Sequence, residues 1–156
     1  INYVGYMMDS YMLFTLQNYA AKLVEKETSP KYYFMDTGLL GLMLMDCSSA
    51  QLENLVAIEL IRRYGRDNVF YFEKNVEIDF YVPEEKLAIQ VSLQVLDQID
   101  TREREIGAFV KLKNFIGDAT CLLITNSEEE ELDYEGVHVS VVPVWKWLLQ
   151  NRKQDI

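Results

Sequence analysis

Apolar and polar positions along the chain follow two periods, and each period marks out its elements. "SSAQLENLVAIELIRRYG", residues 48–65, repeats its apolar residues with helical spacing. Ser48 or Ser49 is placed to cap this helix, Glu53 lies near its first turn, and Gly65 can end it. "NVFYFEKN", "VEIDFYV" and "KLAIQVSL" follow, short and rich in β-branched and aromatic residues, and they predict three strands parted by polar turns. "DTREREIGAFVKLKNFIG" predicts a second helix with Asp100 or Thr101 as cap and Ile106, Phe109, Val110 and Leu112 for burial. "ATCLLITN" reads as a buried, parallel-type strand, "SEEEELDYEG" as a solvated acidic loop, and "VHVSVVPV" as a further strand. "VWKWLLQNRKQDI" closes the chain as a helix with a polar last turn. Before residue 48 stand a short helix-like stretch and two strands, "YMLFTL" and "KYYFMD", around a polar connection with Ser29 and Pro30. "TGLLGLMLMD" then predicts a short buried helix, with Met43 and Met45 as core filler.

This order predicts an α/β (α+β) fold, a mixed sheet with helices on both sides. Its centre is an antiparallel hairpin across "EIDFYVPEEKLAIQVS", residues 77–92. With "PEEK" as the turn, Val82 faces Leu87, Asp79 faces Gln90 and Glu77 faces Ser92. Strict alternation then gives Glu77, Asp79, Gln90 and Ser92 one face, and Ile78, Phe80, Ile89 and Val91 the other. On the preceding helix Glu59 falls inside the apolar arc, between Leu52 and Leu55, and Glu53 falls near Val56 and Leu60. A carboxylate there needs a partner. For Glu59 that partner is an arginine, Arg62 or Arg63, or else a site; for Glu53 it is the helix dipole or the same site.

Composition narrows the options. The chain has 156 residues, one domain's worth, and is 49% hydrophobic, enough for a core. Its net charge of −10 argues against non-specific nucleic-acid binding, which needs Lys and Arg to displace counterions. One helix does carry Arg102, Arg104, Lys111 and Lys113, either a local basic strip or a solvated face paired with Glu103 and Glu105. Cys47 and Cys121 stand far apart with no CxxC context and read as buried thiols of a reducing, cytoplasmic setting. The single His138 alternates with valines and reads as an outward strand residue. Ten Tyr and seven Phe leave room for an interface at Tyr6, Tyr11, Tyr32 or Trp147, and so for homo-oligomers. No stretch has the length of a membrane span, and the start at Ile1 inside an apolar segment reads as a fragment lacking its N-terminal part.

Carboxylates on a strand and an adjacent helix are what metal-dependent phosphodiester cleavage uses: they hold Mg²⁺ while a lysine activates water. The arrangement resembles the PD-(D/E)xK nuclease-like fold, whose pattern is a helix Glu, a strand Asp, then Glu-x-Lys on the next strand. The matching positions here are Glu59 or Glu53, then Asp79, then Gln90-Val91-Ser92. Asp79 and Glu59 are thus the candidate metal ligands, and Gln90 and Ser92 depart from the pattern. Glu77 could replace the lost carboxylate, and Arg102 or Arg104 the lost lysine. "KYYFMDTGLL", "LENLVAIELIRR", "VEIDFYV", "LAIQVS", "DTREREIGAFVKL", "LLIT" and "VPVWKWLL" together resemble the C-terminal region of predicted AAA-type ATPases, domain of unknown function 4143. That resemblance implies residues 1–45 as the end of a winged-helix-like linker region and 46–156 as the nuclease-like domain. It also implies an N-terminal ATPase domain as partner. The chain has no G-x-x-x-x-G-K-[ST] loop, so ATP belongs to that other domain. The expected function is a non-catalytic, regulatory or interaction module. The alternatives are a Mg²⁺-dependent nuclease and a DNA-binding domain without cleavage.

Overall fold

The computed structural model describes residues 3–23, 29–43, 48–96 and 99–150. Its elements are α1 (Tyr3–Asp9), β1 (Leu13–Asn18), α2 (Tyr19–Leu23), β2 (Lys31–Phe34), α3 (Gly38–Met43), α4 (Ser48–Tyr64), β3 (Phe70–Glu73), β4 (Glu77–Val82), β5 (Leu87–Val91), α5 (Ile99–Ile116), β6 (Thr120–Thr125), β7 (Glu130–Tyr134), β8 (Val137–Pro143) and α6 (Val144–Leu149). Eight strands form one mixed sheet in the order β2-β1-β3-β4-β5-β6-β8-β7. β1 with β3, β5 with β6, and β6 with β8 run parallel; the other neighbours are antiparallel. The fold is therefore the expected mixed sheet flanked by helices. Cys47, Met45 and the polar tail after residue 150 lie outside the described residues.

Each face of the sheet carries its own core. On one, Ile106, Phe109 and Leu112 of α5 pack against Phe72, Ile78, Ala88, Leu123 and Val139. On the other, Val56, Ala57 and Leu60 of α4 and Trp147 of α6 pack against Phe14, Tyr71, Phe80, Ile89 and Ile124. A fully buried side chain of this size contributes about 1.5–3 kcal/mol, so both faces are needed to hold so long a sheet. α4 stops at Gly65: its N–H still bonds the carbonyl of Ile61 at 2.9 Å, and its φ of 81° then turns the chain out of the helix.

Several expectations change. Residues 13–34 supply β1 and β2 of the same sheet. The acidic stretch after β6 is not a loop throughout: Glu130–Tyr134 forms edge strand β7, with only Leu132 buried. Trp147 is core, at 4% exposure, whereas Tyr6, Tyr11 and Tyr32 are exposed. Cys121 is a buried free thiol, and burial pushes it up to about 11. His138 does point outward, between Asp133 at 2.9 Å and Glu131 at 3.1 Å, whose carboxylates hold its pKa above the usual imidazole range.

The most consequential change lies in β4. It pairs with β3 at Phe70–Tyr81 and then at Phe72–Ile78, so Asp79 and Phe80 together oppose Tyr71 alone. This is a β-bulge, and it breaks the two-residue alternation. Ile78 and Phe80, expected on one face, pack into opposite cores.

Candidate functional site

The expected hairpin register holds near the turn: Val82 pairs with Leu87, Tyr81 with Ala88 and Phe80 with Ile89. Beyond that point the backbone ladder stops and side chains take over. The Gln90 carbonyl oxygen accepts the Asp79 N–H at 2.8 Å, and its amide nitrogen donates to the Glu77 carbonyl at 3.2 Å. From the other strand, Asp79 Oδ2 accepts the Val91 N–H at 2.8 Å. β4 and β5 are thus splayed at this end, and Asp79 and Gln90 bridge the gap in place of main-chain bonds. Buried polar backbone would otherwise be left unsatisfied.

At this fork opens a cleft of about 720 Å³, lined among others by Glu53 of α4, Glu77 and Asp79 of β4, Gln90 of β5, and Arg104 and Glu105 of α5. Glu53, not Glu59, is the helix carboxylate of this cleft. Its Oε1 accepts a 2.8 Å bond from the Tyr33 hydroxyl. Burial drives the Tyr33 phenol far above its ordinary pKa, and the charges of Glu53 and Asp79 add to that. Lys31, two residues earlier on β2, reaches Glu77 Oε1 at 2.6 Å and Asp79 Oδ1 at 3.9 Å. Burial works against the Lys31 charge, but the hydrogen bond to Glu77 and the fields of Asp79 and Glu53 outweigh it and raise its pKa.

Asp79 is the electrostatic centre. Burial pushes it up to about 7, and the charge of Glu53 pushes the same way. The Val91 N–H and the Lys31 ammonium oppose this and lose. At 3.9 Å the ammonium lies beyond direct hydrogen-bond reach, so it repays too little of the desolvation.

The remaining candidates fall elsewhere. Glu59 is held by Arg62 at 2.8 Å and by Arg63 at 2.7 Å, and the hydrogen bond from Arg62 does most to hold its carboxyl below the usual range. Arg63 in turn stacks 4.1 Å from the Trp147 ring centre and donates to the Trp147 carbonyl. The expected metal pair of Asp79 with Glu59 is therefore corrected: Glu59 is taken up by two arginines of its own helix, one of which, Arg63, reaches α6. Arg63→Ala should lower stability by about 2 kcal/mol in a urea titration, because Arg62 keeps part of the pairing. Ser92 is not on the cleft; its hydroxyl donates to the Gln94 carbonyl at 3.1 Å. Of the four basic residues of α5, Arg104 and Lys111 border the cleft, with Arg104 on Glu105 at 2.6 Å, and Lys113 pairs with Asp118 at 2.9 Å. Arg102 is half-buried and not on the cleft. They do not form one strip.

Sequence reasoning missed Lys31, Tyr33, Glu105 and Asn54. Glu105 had a signal: with Phe109 and Leu112 it follows the apolar spacing of α5, and it is only 7% exposed. Asn54 is buried on α4 and bonds the Phe34 N–H at 2.7 Å and the Phe34 carbonyl at 3.0 Å, which seats β2. Lys31 and Tyr33 had none, since only the sheet order brings β2 beside α4.

The donors present do not suit the Mg²⁺ that the PD-(D/E)xK resemblance implies. Gln90, at the position of a ligand carboxylate, has its amide engaged by the β4 backbone, and an ammonium stands among the carboxylates. Among the described residues no three Asp, Glu, His or Cys side chains are grouped to hold a metal ion. No helix among them is long and apolar enough to cross a membrane.

No family model matches the chain, and no solved structure matches it. It is 33% identical over 158 residues to the uncharacterized protein MJ1544 of Methanocaldococcus jannaschii, a match that takes in 95% of this chain. The chain spans about a third of that relative's length, 35%.

Proposed function

We propose that this chain is a non-catalytic, nuclease-like regulatory or interaction domain of a larger AAA-type ATPase. The observation that carries this reading is Gln90. Where a metal-dependent nuclease needs a carboxylate free to bind metal, this chain has an amide whose two ends are both engaged by the neighbouring strand. Ser92, at the position of the activating lysine, is uncharged and turned to Gln94. A relative that extends well beyond the matched region fits a multi-domain protein. On this reading ATP is bound by the rest of the polypeptide, which is also the domain's first partner, and the protein is cytoplasmic. The exposed Tyr6, Tyr11 and Tyr32 are then available for contacts with that partner or with a second copy.

The alternative, a Mg²⁺-dependent nuclease, gains one feature from the geometry: a cation, Lys31, stands beside Asp79. DNA binding without cleavage is disfavoured at the cleft, where Glu53, Glu77, Asp79 and Glu105 outnumber Arg104 and Lys111 and repel phosphate. Incubation of the chain with linear and supercoiled DNA in millimolar Mg²⁺ or Mn²⁺ decides between the readings. The expected result is cleavage no faster than that of Asp79→Asn. Cleavage that disappears in both Asp79→Asn and Lys31→Met would establish the nuclease instead.

A further inference from the structure

We infer that the Lys31 ammonium is the resident cation of the Glu53–Glu77–Asp79 cluster and takes the place of a divalent metal there. The inference deepens the non-catalytic reading and rests on it.

Lys31 is not a loose surface lysine. Its strand is paired with β1, Lys31 opposite Leu16. Three residues on, Asn54 grips both main-chain groups of Phe34, and between them Tyr33 is tied to Glu53. The side chain passes near the Tyr71 ring, with Nζ 5.4 Å from its centre, and is only 26% exposed. It delivers its charge to Glu77 and toward Asp79, inside the field of Glu53. Carboxylates gathered in a half-buried cleft need a positive charge, and either an ammonium or a metal can supply it. A tethered ammonium is always present, needs no free ligand concentration, and its charge opposes a second cation at the same carboxylates.

The probe is Mn²⁺ alone, read by thermal unfolding at fixed pH on the wild-type chain, Lys31→Met, Lys31→Arg and the double variant Lys31→Met/Asp79→Asn. The wild type and Lys31→Arg should be unmoved by Mn²⁺. Lys31→Met should melt lower without metal and regain about 3–6 °C at roughly ten times its Kd. The double variant should lose that response. A wild-type shift as large as that of Lys31→Met would overturn the inference, since metal and lysine would then not compete. An unresponsive Lys31→Met would also overturn it, while leaving the non-catalytic reading untouched. Should Lys31→Met fail to fold where Lys31→Arg folds, the need for a cation is upheld, and Mn²⁺ paramagnetic resonance on the wild type completes the test: bound Mn²⁺ there sinks the inference.

Discussion

Asp79→Asn should stabilise the chain at pH 8 and remove a pH dependence that the wild type carries. Most structural aspartates are held below their ordinary pKa and lose stability in acid. Asp79 is the reverse, pushed up to about 7 by burial first and by Glu53 second. Between its ordinary value near 3.8 and about 7 the folded chain holds a proton that the unfolded chain releases. Stability from this group is therefore complete at the acid end, falls as pH rises through that window, and levels off above it. The whole span is on the order of 4 kcal/mol. Asparagine keeps an oxygen for the Val91 N–H and carries no charge, so it lacks the slope. Urea titrations of both chains at pH 4 and pH 8 give the result as a difference of differences, in which the other carboxylates cancel. The gap between variant and wild type should widen toward pH 8. A gap that stays flat, or an asparagine variant that is the weaker one at pH 8, would mean that Lys31 keeps Asp79 ionised after all.

Gln90→Ala should cost about 3 kcal/mol, because it strands two polar backbone groups of β4 at the fork. Gln90 is buried, at 5% exposure, so water is a poor substitute. Gln90→Glu separates structure from chemistry more sharply. A glutamate can still accept the Asp79 N–H, but when ionised it cannot donate to the Glu77 carbonyl, and it adds a charge beside Asp79. It should match the alanine loss at pH 8 and recover much of it at pH 5, where a protonated carboxyl can donate. If Gln90→Glu is as stable as the wild type at pH 8, the amide is not what closes the fork, and the support for a non-catalytic domain is gone.

Both predictions turn on residues visible in the sequence, yet their reasons were legible only in part. Polar residues at positions 77, 79 and 90 inside apolar strands announced a special place, and the turn chemistry set their register correctly as far as Phe80 and Ile89. The bulge at Asp79 and Phe80 was not legible, because an extra residue is defined only by the partner strand, here β3. For the same reason the acidic stretch at Glu130–Tyr134 looked like loop: an edge strand with one buried side chain has almost no apolar alternation to betray it.

Local pattern by itself determined the helices α3, α4, α5 and α6, the strands β1 to β6 and β8, the mixed character of the sheet, and the pair Asp79 and Gln90 as the centre of interest. Spacing along one element is enough for such features, since hydrophobic period and turn residues act over a few positions. Tertiary structure alone decided the choice of Glu53 over Glu59, and the arrival of Lys31 and Tyr33. Both acids lie on α4, six residues apart; the helix offers Glu59 the arginines Arg62 and Arg63 one turn on, but does not by itself say whether Glu59 takes them or meets Asp79. Glu59 was taken by Arg62 and Arg63 of its own helix, with Arg63 held in turn by Trp147 from the far end of the chain, and Glu53 by a tyrosine on β2. At the cleft, partners brought from a distant segment fix the buried charges, and the order of strands in the sheet determines which segment that is.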